Sequence, residues 1–535
     1  MASAATTPAP QQAVHEKLKK GPGTIGMIVF GVALAAALIY TITSLLADIS
    51  GVRTASIFPF LLLGVALLIA LGFEFVNGFH DTANAVATVI YTHSLEPHIA
   101  VVYSGVLNFA GVLVSNGAVA FSIITLLPVE LILQVGSGAG FAMVFALLFA
   151  AILWNLRTWW LGLPASSSHT MVGSIIGVGI ANQLMSPRSG TSGVDWSQVS
   201  KVFQTLLVSP LIGFGVAAIL LVLAKFLIKD KRLYEAPKGD EPPPFWIRGL
   251  LILTCGSVSY GHGSNDGQKG MGLIMLILVG TVPTAYALNH AITPSQTQTY
   301  IAVSHQTVDT LNKYVGETTT IGDPREEVTD YIRTRQFNNH TMLALRTLVN
   351  DMATEMSIYK TLKSVPETRI RNFRNDMYIV AESLRLMKKS HQPAFTDADS
   401  AVLANYQKYV DGATRFIPTW VKVAVAMALG MGTMIGWKRI VVTVGEKIGK
   451  DHLTYAQGAA AEITCAVTIL SADTLGLPVS TTHVLSSGVA GTMFANHSGL
   501  QWGTVRSMLM AWVLTLPASI LISGSLFWVF TRIPA

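Results

Sequence analysis

Two stretches of this chain repeat one arrangement of hydrogen-bonding side chains. Residues 162–169 read Gly-Leu-Pro-Ala-Ser-Ser-Ser-His, and residues 476–483 read Gly-Leu-Pro-Val-Ser-Thr-Thr-His. Each sets three hydroxyl side chains and a histidine ahead of an apolar run rich in Gly and Ala. Ser and Thr cap helix N-termini and Pro suits a first helical turn, so each stretch is expected to open a helix. A helix start presents free N–H groups and the positive end of the dipole, which together attract an anion. Ser166, Ser167, Ser168, Ser480, Thr481 and Thr482 are therefore candidate ligands for one anion held between two facing half-helices. The competing reading is that small hydroxyl residues merely glue membrane helices together. It would be favoured for one motif alone; the duplication favours binding.

A second pair of polar interruptions carries carboxylates. Asp81 follows Gly78-Phe79-His80, and Asp266 lies in Gly263-Ser264-Asn265-Asp266-Gly267-Gln268-Lys269-Gly270, each inside an otherwise apolar run. A carboxylate inside a membrane is costly and by default marks an ion or substrate path. Asp81, Asn84, Asn265, Asp266 and Lys269 are the candidate coupling-ion or proton residues. Gly78 and Gly263 would let the chain unwind there and free carbonyls for a cation. Lys269 occupies the place of Asn84 when Asp81 is laid on Asp266, and would act as a built-in cation or pair with the carboxylate. His80, His169, His483 and Gln268 are possible accessory residues; either of His169 and His483 would equally serve as a structural cap. His80 and His262 show no metal-ligand spacing, so no metal site and no cofactor are expected.

The elements that must position these residues are membrane helices. Of 535 residues 51% are hydrophobic and 12% are charged, about half the charge of a soluble protein. Many runs reach the roughly 20 apolar residues that span a bilayer. The net charge of +6 fits Lys and Arg in cytoplasmic loops rather than nucleic-acid binding. Cys255 and Cys465 sit in apolar segments, which disfavours a disulfide framework. The expected organisation is an N-terminal tail and extra helix (1–50), a first membrane repeat (51–228), a basic cytoplasmic linker (229–245), the start of a second repeat (246–293), a soluble helical insertion (294–415) and the rest of the second repeat (416–535). The insertion holds 15 Lys/Arg and 14 Asp/Glu.

Asp81 and His169 are 88 residues apart and Asp266 and His483 are 217 apart, so removing the insertion brings the halves nearly into register. The expectation is an all-α polytopic membrane protein of two inverted repeats, with discontinuous helices, re-entrant hairpins and about 10–12 membrane segments.

With these motifs in order, the chain resembles the inorganic phosphate transporter family, especially the bacterial low-affinity permeases. The resemblance rests on Gly78-Phe-His-Asp-Thr-Ala-Asn-Ala85, Gly263–Gly270, Pro164-Ala-Ser-Ser-Ser-His169 and Pro478-Val-Ser-Thr-Thr-His483, and covers both membrane halves. It implies a multi-pass bacterial inner-membrane secondary transporter, a homodimer, that imports orthophosphate with a coupling cation and is not an enzyme. The family signature is close to Gly-Ala-Asn-Asp-Val-Ala-Asn-Ala; His80 and Lys269 each replace an Asn of it. That departure favours proton over sodium coupling, and members of this kind are thought to carry a metal–hydrogen phosphate complex. The alternatives are sodium-coupled phosphate symport, a permease for sulfate or another oxyanion, and, from a different class, an intramembrane aspartyl hydrolase using Asp81 and Asp266 as a dyad.

Overall fold

A computed structural model describes residues 14, 17, 18, 23–52, 57–81, 83–133, 136–185, 194, 196–237, 242–316 and 320–533. The far N-terminal tail, part of the 186–201 loop and part of the basic linker thus lie outside the described residues.

The described chain is helical, and its one β-bridge joins Gly449 to Leu500. In the first half α1 spans Thr24–Ile49, α2 Phe58–Asp81, α3 Ala83–Tyr91, α4 Pro97–Val114 and α5 Ala118–Ile124. They are followed by α6 Val129–Leu133, α7 Gly138–Trp160, α8 Ser167–Met185 and α9 Trp196–Leu227. The second half opens with α10 Phe245–Thr281 and α11 Pro283–Tyr286. Five helices then form the charged region: α12 Pro294–Asn312, α13 Pro324–Thr334, α14 Asn339–Tyr359, α15 Glu367–Ser390 and α16 Asp397–Thr414. The chain ends with α17 Thr419–Thr433, α18 Lys438–Glu446, α19 Tyr455–Thr474, α20 Thr481–Ala495 and α21 Trp502–Phe530.

Among the described residues, six helical spans are long and apolar enough to cross a membrane: α1, α2 with α3, α4, α7, α9 and α21. Up to seven qualify if α16 and α17, bent by 71°, are counted as one. α8, α10, α19 and α20 are largely buried inside the bundle. Being enclosed by protein, they tolerate polar residues that a lipid-facing helix would not.

Glycines set how the helices meet. A Cβ on Gly78 of α2 would lie 2.2 Å from the carbonyl oxygen of Leu429 on α17, and one on Gly432 would lie 2.1 Å from that of Phe75. The other carboxylate-bearing helix repeats the contact. A Cβ on Gly263 of α10 would lie 2.1 Å from Asn108 O on α4, and one on Gly111 2.1 Å from Tyr260 O. The motif helices do likewise: a Cβ on Gly177 of α8 would lie 2.2 Å from Ile520 O of α21, and one on Gly491 of α20 would lie 2.1 Å from Phe214 O of α9. Every such pair joins one half to the other, and the pattern occurs twice.

This corrects one expectation. Gly78 and Gly263 do not unwind the chain. Gly78 lies within α2, and α10 runs unbroken through Gly261–Gly270 as a 37-residue helix. The missing side chains serve backbone-to-backbone packing, the usual role of small residues between membrane helices.

The five charged-region helices bury their own apolar side chains, among them Leu345, Met352, Phe373, Met377 and Tyr406, in a core continuous with that of the membrane bundle. Arg325 holds the buried Asp376 through two hydrogen bonds of 2.6 and 2.9 Å.

Candidate functional site

The two Ser/Thr stretches fold alike. Gly162 (φ +67°) and Gly476 (φ +64°) end α7 and α19 in the left-handed region, where only glycine is free of Cβ strain. Leu163 N donates to Thr158 O and Leu477 N to Ala472 O, at 3.0 and 2.9 Å, closing the same C-terminal turn twice. The chain then runs extended for a few residues and starts a new helix. Ser166 Oγ accepts from His169 N (3.2 Å) and Ser480 Oγ from His483 N (3.1 Å). These two hydroxyls are N-caps of their own helices. The prolines lie two residues ahead of the caps, not in the first turn; Pro164 O instead accepts from Trp512 Nε1 at 2.8 Å.

The two helix starts meet. Ser168 Oγ donates to Val479 O across the halves at 2.8 Å, and its oxygen accepts from Lys269 Nζ. Ser167 Oγ donates to Asp81 Oδ2. The same hydroxyl lies 2.8 Å from Asn77 Oδ1 and 3.4 Å from Asp266 Oδ2, so its one hydrogen faces three acceptors. Thr482 Oγ1 donates to Asp81 Oδ1 at 2.7 Å. Asp81 is thereby held by a hydroxyl from each half. Residues read from sequence as separate anion and coupling-ion sets form one buried cluster.

Asp266 pairs with Lys269 Nζ at 2.5 Å, one helical turn away on α10. Its other oxygen, Oδ1, is buried with no hydrogen-bond partner among the described residues. Between the carboxylates sits His262, which spacing alone gave no reason to choose. Its Nε2 is 4.0 Å from Asp81 Oδ2 and 3.7 Å from Asp266 Oδ2, and its Nδ1 contacts Asn108 Oδ1 at 2.7 Å. One ligand atom each of Asp81, His262 and Asp266 lies within 4.8 Å of the others, a group that could hold a cation. His80 bridges Asp81 Oδ1 and Thr158 Oγ1, each at 3.0 Å.

Other candidates lie at the edge of this cluster. Thr481 Oγ1 is buried without a partner among the described residues. Asn265 Nδ2 donates to Leu477 O at 3.1 Å, tying α10 to the second motif's approach loop. Gln268 bonds Val119 N and Asp473, at 2.9 and 2.6 Å. The rings of His169 and His483 pack at a tilt with centroids 4.5 Å apart, and His483 stacks on Trp512 at 4.1 Å. They brace the two helix starts from behind. The side chain of Asn84 lies outside the described residues. Glu462, buried on α19, accepts hydrogen bonds from Thr88 and Thr254.

A helical bundle with several membrane spans and a buried polar cluster at its centre, fed by both halves, defines a polytopic membrane transporter. The model of the phosphate transporter family matches residues 77–523, and the chain belongs to that family. It is 42% identical over 485 residues to the low-affinity inorganic phosphate transporter PitA of Escherichia coli (strain K12), covering 88% of this chain and 96% of the relative. Its identity to PitB of the same organism is 42% over 496 residues (88% and 97% covered). The probable low-affinity inorganic phosphate transporter of Bacillus subtilis (strain 168) is 30% identical over 476 residues (88% and 98% covered). Among solved structures, one titled the sodium-dependent phosphate transporter aligns with a TM-score of 0.48 at 20% identity, over 88% of this chain and 100% of that one.

Proposed function

We propose that this protein is a symporter of the bacterial inner membrane that imports inorganic phosphate together with protons. The observation that carries the reading is the shared hydroxyls. Ser167 and Thr482 each have one hydrogen to give, and both give it to Asp81. Phosphate seated at the two helix starts would need those same hydrogens for its oxygens. A proton on Asp81 releases them and turns the carboxyl into a donor toward the anion. Proton and phosphate then favour each other's binding, which is what coupling requires. Lys269 supplies a fixed positive charge beside Asp266, at the position where a bound cation would otherwise neutralise it. A phosphate that still bears hydrogen also finds an acceptor in Asp266 Oδ1, which fully ionised sulfate would not use. Alternating access would come from one helix group moving against the other around this cluster, with the repeats inverted across the membrane.

The Asp81–His262–Asp266 group favours one variation, in which a sodium ion, or a divalent metal travelling with hydrogen phosphate, sits between the carboxylates. Radiolabelled phosphate uptake into proteoliposomes under separately imposed proton and sodium gradients, with and without Mg²⁺, separates these readings. Uptake driven by the proton gradient alone supports proton symport; uptake that requires sodium refutes it. The Ser167→Ala/Thr482→Ala double variant is expected to lose at least about tenfold in uptake, the scale of removing charge-assisted hydrogen bonds. Normal uptake by that variant would remove the site assignment.

A further inference from the structure

A second basic chamber lies where the five charged-region helices meet the membrane bundle. Arg374 on α15 is only 8% exposed. Among the described residues its one hydrogen bond is a 3.3 Å contact from Nη1 to Asn375 Oδ1, and its buried Nε has no partner. No carboxylate among the described residues pairs with it. Its guanidinium lies 5.3 Å from the centre of the Tyr378 ring. Burial, with Arg415 repelling it, lowers its pKa to about 10. A buried cation left without a counter-charge is expensive, and chains that keep one generally complete it with an anion.

The surroundings fit such an anion. Arg374 lines a cavity of about 30 Å³ together with Thr125, Tyr378 and Arg415. The next cavity, of about 450 Å³, shares Thr125 and Arg415 and adds Arg385, Lys389 and Gly476. The nearby carboxylates are spoken for: Glu382 and Asp411 are each paired to both Arg385 and Arg415. Arg385 and Arg415 therefore use up both carboxylates, and the positive charge of Arg374 is left without a counter-charge among the described residues. Gly476 opens the Gly-Leu-Pro stretch that ends at the Ser480 cap, so the chamber abuts the loop carrying one of the two anion-facing helix starts.

We propose that Arg374, flanked by Arg415 and Thr125, forms a second oxyanion site, a staging position for phosphate beside the approach to the Ser480–Thr482 helix start. The choice of phosphate rests on the proposed function; the site itself rests on the unpaired guanidinium and its cavity. Purified full-length protein in detergent tests it by equilibrium binding of radiolabelled inorganic phosphate. The expected result is a class of sites that survives Ser167→Ala/Thr482→Ala and is weakened about 10- to 100-fold by adding Arg374→Gln, the scale of losing a charge-assisted contact. Arg374→Lys, which keeps a cation, should retain most of that binding and controls for folding. In unmutated protein, phosphate should protect the Arg374 peptide from phenylglyoxal, read by mass spectrometry. If Ser167→Ala/Thr482→Ala abolishes all binding, or phosphate leaves Arg374 modification unchanged, the staging site is overturned while the central site stands. If that double variant binds like the parent and Arg374→Gln lowers both, the staging site stands and the central assignment fails.

Discussion

Replacing Lys269 with Asn tests the electrostatics of the centre. Lys269 is fully buried, and its Nζ lies 2.5 Å from Asp266 Oδ2. At an effective dielectric of about 20 the direct attraction is roughly 6–7 kcal/mol. Part of that is cancelled by desolvation of both groups, so removing one partner should cost about 3–5 kcal/mol, most of it the penalty of an unpaired buried charge. Adding Asp266→Asn removes the orphaned carboxylate and should recover most of the loss. A double-mutant cycle on the purified protein, followed by thermal or denaturant unfolding, measures the coupling directly. The same variants in proteoliposomes give a second readout. Lys269→Asn should make uptake respond to sodium, because Asp266 then needs another cation. If the double variant is no more stable than Lys269→Asn, and sodium leaves uptake by Lys269→Asn unchanged, the pair does not act as a neutralised unit and the reasoning fails.

Other perturbations have equally defined outcomes. Gly263→Ala should destabilise the bundle by about 1–3 kcal/mol or more through overpacking, since the new Cβ would fall 2.1 Å from Asn108 O, whereas Gly72→Ala, inside α2 with open space around it, should be neutral or stabilising by up to about 1 kcal/mol; equal unfolding midpoints would mean α4 and α10 do not touch there. Ser168→Ala removes the link between the two helix starts and the acceptor for Lys269, at a cost of about 1.5–3 kcal/mol in unfolding free energy; an unchanged stability would refute the contact. In the charged region, hydrogen bonds from Lys313, Tyr314 and Thr396 hold the Asp399 carboxyl at about 2, below its ordinary 3.8. A depressed acid stabilises the fold above its unfolded pKa, so this contribution should be complete near neutral pH and fade as pH falls from about 4 to 2. Hydrogen exchange at the Asp399 amide, which donates to Thr396 Oγ1, should lose protection over that window, and protection that ends well above pH 4 would refute the assignment.

The sequence made the local features legible and hid those built from distant segments. The Gly-Leu-Pro-x-hydroxyl-hydroxyl-hydroxyl-His repeats announced two equivalent helix starts because a turn, a cap and a helix are set by neighbours a few residues apart. Asp81 and Asp266 stood out because a carboxylate in an apolar run needs a reason. His262, Asn77 and Asn108 did not stand out, because their partners come from other helices: His262 meets Asn108 across 154 residues of chain. The Gly-rich runs around Gly78 and Gly263 read as breaks, since local propensity penalises glycine in helices; the neighbouring backbones that need those glycines are invisible in one dimension. Arg374 looked like one more charge among the 15 Lys/Arg of its region, and only burial singles it out.

The cross-half glycine contacts also dictate an order of assembly. Gly78 needs α17 to pack against, and α17's Gly432 is 354 residues further along the chain. At ribosomal speeds of about 5–20 residues per second, α2 waits roughly 20–70 s for its partner. During that delay its buried Asp81 and Asn77 must be sheltered by lipid headgroups, water or insertion machinery, while the charged helices have time to fold on their own. Neither half completes its own core, so a chain cut in the 229–245 linker should mature only when both fragments are made together. Newly made first-half fragments alone should be cleared as unfinished.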